Sequence, residues 1–158
     1  MIFTDVNLAQ ALNGKIISLR SYHGKYVVAE SNGDANANRV IVGSWEEFLV
    51  ERVTGNQVAL KSVAHNRYLV AELNGQANAN RPWRDSWEIF RLIKISDRKI
   101  ALRSHHGKYL TAESDGKLNA NRLNLDSWEI FYFGFPLGKG HFIKSVSLSF
   151  RYAIYSLE

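Results

Sequence analysis

Three histidines, six glutamates and nine cations recur along this 158-residue chain at almost constant spacing. His23, His65 and His106 each open a tight turn, followed two residues later by a cation: Lys25, Arg67 and Lys108. Neutral imidazoles ligate metals, so the three histidines raise the question of a metal triad. A ligating histidine is normally oriented by a carboxylate or carbonyl, and no acid stands beside any of the three. Each also belongs to a different repeat. A turn residue making local hydrogen bonds is the expected role, and no metal site is expected. The acids recur as Glu30, Glu72, Glu113 and as Glu46, Glu88, Glu129. An active site needs one asymmetric constellation, which acids copied threefold do not supply. With no nucleophile motif and no phosphate-cradling glycine loop, neither catalytic residues nor a cofactor is expected, and the chain reads as a non-enzyme.

The other repeated side chains divide into structural and binding candidates. Arg39, Arg81 and Arg122 close three Asn-Ala-Asn-Arg runs; pairing with one set of glutamates and with loop carbonyls would fix one corner of each repeat. Trp45, Trp87 and Trp128 stand in Ser-Trp-Glu and are expected to pack beneath loops as plugs. Lys25, Arg67 and Lys108, with the neighbouring histidines, would form a symmetric ring of cations at loop tips. Trp83 has no counterpart and sits beside Pro82 and Arg84. An aromatic next to an arginine is the composition of a recognition hot spot or of a sugar-stacking platform, and equally of a side chain packed on its own loop.

These residues are held by a repeating unit. The Ser-Trp-Glu tryptophans are 42 and 41 residues apart. A period of this length marks one supersecondary unit that cannot bury its apolar face alone. Three copies (14–54, 55–95 and 96–135) point to a closed, pseudo-threefold single domain followed by an extension, 136–158. Ile17 and Leu19, Val58 and Leu60, Ile100 and Leu102 alternate as half-buried strands do. The next turn carries Gly24, Asn66 or Gly107, residues that tolerate positive φ. Repeat two has one extra residue before this turn, around Ala64.

The second strand, Tyr26–Glu30 and its copies, is expected to bury Val27 and Ala29 and to keep the face of Val28, Val70 and Thr111 wetter. Asn32-Gly33, Asn74-Gly75 and Asp115-Gly116 predict type I′ hairpin turns. The third strand, Ala35–Arg39 and its copies, faces alanines inward. The fourth puts Phe48, Phe90 and Phe131 on one face. Twelve short antiparallel strands at a threefold period predict an all-β fold, specifically a β-trefoil, with helix only near Asp5–Leu12.

Composition narrows the classes further. No run approaches the ~20 apolar residues of a membrane-spanning helix, and Met1–Asp5 does not resemble the basic start of a signal peptide. Zero cysteines exclude a disulfide scaffold and thiolate chemistry, so a cytoplasmic location is expected. The net charge is +5, with repeat two contributing six basic against three acidic side chains. This favours acidic partners without selecting one. In the extension, Val146, Leu148 and Phe150 alternate with serines, and Tyr152 and Ile154 keep the phase. That predicts an extra C-terminal strand, which would pair with Ile2–Thr4, cover a barrel end, or join a second molecule as a homodimer.

Leu-Arg-Ser-x-His-Gly-Lys-Tyr, then Ala-Glu, then Asn-Ala-Asn-Arg, then Ser-Trp-Glu-x-Phe, read in three variants from Lys15 to Phe135, resembles the fascin-like, actin-crosslinking β-trefoil domain family. The His-Gly-Lys-Tyr turn is also similar to the hisactophilins. The resemblance implies a trefoil and binding to filamentous actin, with bundling only if the particle is dimeric or multivalent. Two departures matter: only five histidines, which weakens a histidine-based pH switch, and one trefoil where fascin has four. A lectin-like trefoil binding glycans is the alternative, although the Gln-x-Trp pattern of ricin-type lectins is missing. Nucleic acid is the less expected partner.

Overall fold

A computed structural model describes residues 4–136. The chain begins with helix α1 (Asp5–Leu12), started by Thr4, whose hydroxyl accepts the Asn7 N–H at 3.1 Å while the Asn7 side chain accepts the Thr4 N–H at 3.1 Å. This reciprocal cap satisfies two donors that a helix start leaves open. Leu8, Ala9 and Leu12 face the core. Twelve strands follow: β1 (Ile16–Arg20), β2 (Tyr26–Ala29), β3 (Ala35–Arg39), β4 (Phe48–Thr54), β5 (Gln57–Ser62), β6 (Tyr68–Ala71), β7 (Ala77–Arg81), β8 (Phe90–Ser96), β9 (Lys99–Arg103), β10 (Tyr109–Ala112), β11 (Leu118–Arg122) and β12 (Phe131–Gly134). The protein is all-β and antiparallel apart from α1 and three short helical turns.

The strand pairs repeat as the sequence does. The first and fourth strands of each unit pair (β1 with β4, β5 with β8, β9 with β12), and β4–β5, β8–β9 and β12–β1 join one unit to the next. Six strands thus form a closed ring without a free edge, which removes the template for strand addition. Phe48, Phe90 and Phe131 are wholly buried, with Ile17, Leu19, Leu60, Leu92, Ile100 and Leu102 around them. The remaining strands form hairpins β2–β3, β6–β7 and β10–β11, tied to one another by backbone bridges between Asp34 and Asn78, Asn36 and Lys117, and Gln76 and Asn119.

Two local expectations are corrected. The hairpin turns are not type I′, because the glycine alone takes positive φ (Gly33 at 98°, Gly75 at 92°, Gly116 at 94°). The preceding Asn32 spends its side chain on the backbone instead, its Oδ1 accepting the Asp34 N–H at 3.0 Å. Asn74 and Asp115 do the same for Gln76 and Lys117, an Asx bond that competes with the left-handed conformer. The second correction concerns Val28, Val70 and Thr111, which are fully buried rather than wet. In each repeat the Ser-Trp-Glu segment coils into a three-residue helical turn that packs over this face. Thr111 survives there because its hydroxyl donates to Glu129 at 2.6 Å.

Among the described residues no helix is long and apolar enough to cross a membrane. The extra strand expected within 146–154, its pairing to residues 2–4 and the dimer contact built on it lie outside the described residues.

Candidate functional site

The Asn-Ala-Asn-Arg run and the Ser-Trp-Glu turn meet at one corner of each repeat. Arg39 donates to Glu30 at 2.6 Å, Asn36 donates to the same carboxylate at 3.1 Å, and Arg39 also donates to the Asn38 amide oxygen at 2.6 Å. Arg81 with Glu72 and Arg122 with Glu113 repeat the pair at 2.7 Å. Behind it lies a buried carboxylate. Glu46, Glu88 and Glu129 each fold back to accept the N–H that starts their own helical turn, from Gly43, Asp85 and Asp126 at 2.7, 2.6 and 2.8 Å. The Nε atoms of Arg39 and Arg81 come within 4.0 and 3.8 Å of Glu46 and Glu88. The repeated arginines and glutamates of this corner are thus committed to the fold.

The histidines and tryptophans join neighbouring repeats. His23 packs edge-on against Trp128, His65 against Trp45 and His106 against Trp87, each at 4.8 Å between ring centres. Each histidine thus rests on the tryptophan of the preceding repeat, and His23 on Trp128 closes the circle from first to last. The expected local hydrogen bonds are present, and two of the rings add longer-range ones. Their backbone N–H groups do bond locally, to serine hydroxyls at Ser21, Ser62 and Ser104. The rings, however, bond across the repeat boundary: His23 Nε2 with the Ala112 carbonyl and His106 Nε2 with the Ala71 carbonyl, both at 3.1 Å. His65 follows the extra residue of repeat two, and its buried Nε2 finds no partner among the described residues. The tryptophans are packed on one side by these histidines but not wholly covered: Trp87 and Trp128 are partly buried, and Trp45 keeps 38% of its surface in solvent. Among the described residues no group of histidines and acids is arranged to hold a metal.

Lys25, Arg67 and Lys108 remain in three separate turns and are half-buried rather than fully exposed tips. Arg67 is further committed, donating to the Ser31 carbonyl at 2.8 Å. No contact joins the three among the described residues.

The variable loops behave oppositely. Each holds large apolar side chains in solvent: Val40 and Ile41 at 69% and 75% exposure, Trp83 at 74%, Leu123 at 73%. In the second and third repeats the loop borders a hollow on the Arg–Trp–Glu corner, formed by Arg81, Trp83, Asp85 and Trp87 in one and by Arg122, Leu123, Asn124 and Trp128 in the other. Sequence reasoning singled out Trp83 alone. The signal it missed was apolar character at the same loop in all three repeats, despite complete variation in identity. Arg84 is not free beside Trp83; it crosses to Glu51 of the first repeat at 2.9 Å.

Glu51 also accepts the Tyr68 hydroxyl at 2.8 Å. Burial raises the Tyr68 pKa above its usual 10.0, and the Glu51 hydrogen bond and charge raise it further, with Arg84 opposing. Because the folded pKa lies above the unfolded one, Tyr68 contributes stability that is complete below the unfolded pKa and is lost as pH rises through the folded value. Tyr68→Phe should therefore flatten the alkaline limb of the stability profile above about pH 10, measured by urea unfolding at stepped pH. An unchanged limb would remove Tyr68 from that role.

Comparison with curated proteins returned no match. The described segment from the middle of β4 to the end of β12 does have a counterpart: the model of the family described as Domain of unknown function (DUF7910) matches residues 52–133, more than half of the sequence, and this chain belongs to that family.

Proposed function

We propose that this protein is a β-trefoil of the fascin-like type, a cytoplasmic, non-enzymatic module that binds filamentous actin through its three variable loops. The observation that carries the reading is the exposure of Val40, Ile41, Trp83 and Leu123 at equivalent loops, while the repeated arginines and glutamates of the corner are consumed in folding. Exposed apolar side chains on loops held by a rigid scaffold are common anchors of protein recognition. Half-buried Lys25 and Lys108 supply flanking positive charge for an acidic filament. The closed strand ring agrees with a rigid binding domain that presents its loops in fixed positions.

High-speed co-sedimentation with filamentous actin tests this. The wild-type protein should pellet with filaments, and a triple variant Ile41→Asp, Trp83→Ala, Leu123→Asp should bind roughly tenfold or more weakly, as loss of hot-spot side chains commonly does. Its melting temperature should hold, since these side chains are exposed. Absence of wild-type pelleting at low salt, or undiminished pelleting of the variant, would reject the reading. Bundling at low speed requires two sites per particle.

A second reading rests on one observation: Trp83 overhangs a hollow lined by Arg81, Asp85, Ser86 and Glu88, an arrangement suited to stacking and hydrogen bonding a sugar. Glycan binding that Trp83→Ala abolishes, without actin binding, would favour it.

A further inference from the structure

Grooves lie at two of the boundaries between repeats, between two and three and between three and one, and they differ in chemistry. At the boundary of repeats two and three, Arg91 on β8 stands directly opposite Arg103 on β9. Like charges placed opposite one another destabilise a sheet. Both side chains are exposed, and neither forms an ion pair among the described residues. Arg103 is held in position, its Nε donating to the Gly107 carbonyl at 3.2 Å and its guanidinium lying 5.7 Å from the Tyr109 ring centre. Gln57 of β5 flanks Arg91 on the other side. Around the pair is a groove of about 230 Å³ lined also by Ser86, Ser104 and His105. Every polar side chain there can donate a hydrogen bond, and none of the lining residues carries a carboxylate.

The equivalent positions show that the fold does not require this pair. At the boundary of repeats one and two, Leu49 faces Lys61. At the boundary of repeats three and one, Tyr132 faces Arg20, and the groove there is lined by Tyr22, Ile130 and Tyr132 with Lys99. A leucine or a tyrosine therefore serves the fold where Arg91 stands. The arginine pair is an asymmetric departure that destabilises the sheet locally, which is the signature of a binding site rather than of packing.

We propose that this groove binds a tetrahedral oxyanion, a phosphoryl or sulfuryl group of a small ligand, clamped between Arg91 and Arg103 with Gln57 and His105 as further donors. The planar forks of two guanidiniums match the oxygen edges of such a group. An anion held between them also relieves the repulsion of the two arginines. The groove borders the hollow beneath Trp83 through Ser86, but both arginines lie on strands outside the variable loops, so the proposal does not depend on the identity of the loops' partner.

Calorimetric titration with inorganic phosphate, pyrophosphate and sulfate at low ionic strength tests the proposal on the full chain. Saturable binding is expected, together with a raised melting temperature in the presence of the anion. Arg91→Leu and Arg91→Tyr install the residues of the other two copies and so keep the fold. Each should weaken binding roughly tenfold or more, the scale of losing one charge-assisted contact, while the ligand-free protein melts no lower than wild type. Glucose 6-phosphate against glucose 6-sulfate then identifies which oxyanion the groove prefers. Absence of saturable binding up to millimolar anion would overturn the proposal. So would an Arg91→Leu protein that binds as wild type, or an exposed control, Lys117→Gln, that loses as much affinity as Arg91→Leu.

Discussion

Replacing Glu88 by alanine should lower the unfolding free energy by about 2–4 kcal/mol, the sum of an orphaned backbone donor and the space left by a buried side chain. Glu88 is only 3% exposed, yet it carries two obligations. One oxygen accepts the Asp85 N–H at 2.6 Å, starting the helical turn that covers β6, and the other lies 3.8 Å from Arg81 Nε. Alanine leaves the Asp85 N–H without its acceptor and opens space beneath the turn. Arg81 retains Glu72 at 2.7 Å, so the corner loosens rather than losing its charge balance outright. Glu88→Gln keeps an oxygen for the Asp85 N–H and should cost roughly half as much, since a neutral acceptor is weaker than a charged one. Urea unfolding of the two variants decides it. A Glu88→Ala protein within experimental error of wild type would show that the turn does not rest on this carboxylate.

Gly33→Ala should be comparably severe, at about 2–4 kcal/mol from combined backbone strain and overlap. Gly33 has φ +98°, and a Cβ there would lie 2.8 Å from the Asn80 Cβ of the next repeat. The backbone cannot retreat freely, because the Gly33 carbonyl accepts the Ala79 N–H at 2.8 Å. Gly75 meets Asn121 and Gly116 meets Asn38 in the same way, so the three hairpins lock in a cycle. Gly55 provides the contrast. It has φ +53°, a conformation asparagine adopts readily, and a Cβ there would meet nothing within 4 Å. Gly55→Asn should therefore change stability by less than about 1 kcal/mol. Thermal unfolding of both variants separates the effects; equal destabilisation would mean that crowding at Asn80 is not what fixes Gly33.

Much of the scaffold was legible in the sequence because its determinants are local. Strand alternation placed Ile17 and Leu19 in the core, and Gly24, Asn66 and Gly107 marked a left-handed turn position, with φ of 78°, 59° and 78°. The errors fell where a residue's environment comes from elsewhere in the chain. Val28, Val70 and Thr111 looked wet because threonine tolerates water, but the Ser-Trp-Glu turn about 18 residues onward covers them. Asn32 looked like half of a type I′ turn until its side chain took the Asp34 N–H. Among the candidate binding residues, the threefold histidines proved to be couplings between repeats, with Trp128 reaching His23 across the whole chain.

By itself the sequence determined the repeating unit: its length, its strands, the turn chemistry and the residues available at each corner. Periodicity and glycine placement are properties of a few neighbouring residues, so one copy read against another suffices to expose them. Only the tertiary structure decided how the copies meet. It set which histidine rests on which tryptophan, and which loops keep their apolar side chains in water. It also brought Arg91 against Arg103 without a carboxylate between them. A repeat pattern is the same whichever neighbour each copy touches, and the energy of like charges depends on which counter-charges the folded chain leaves beside them.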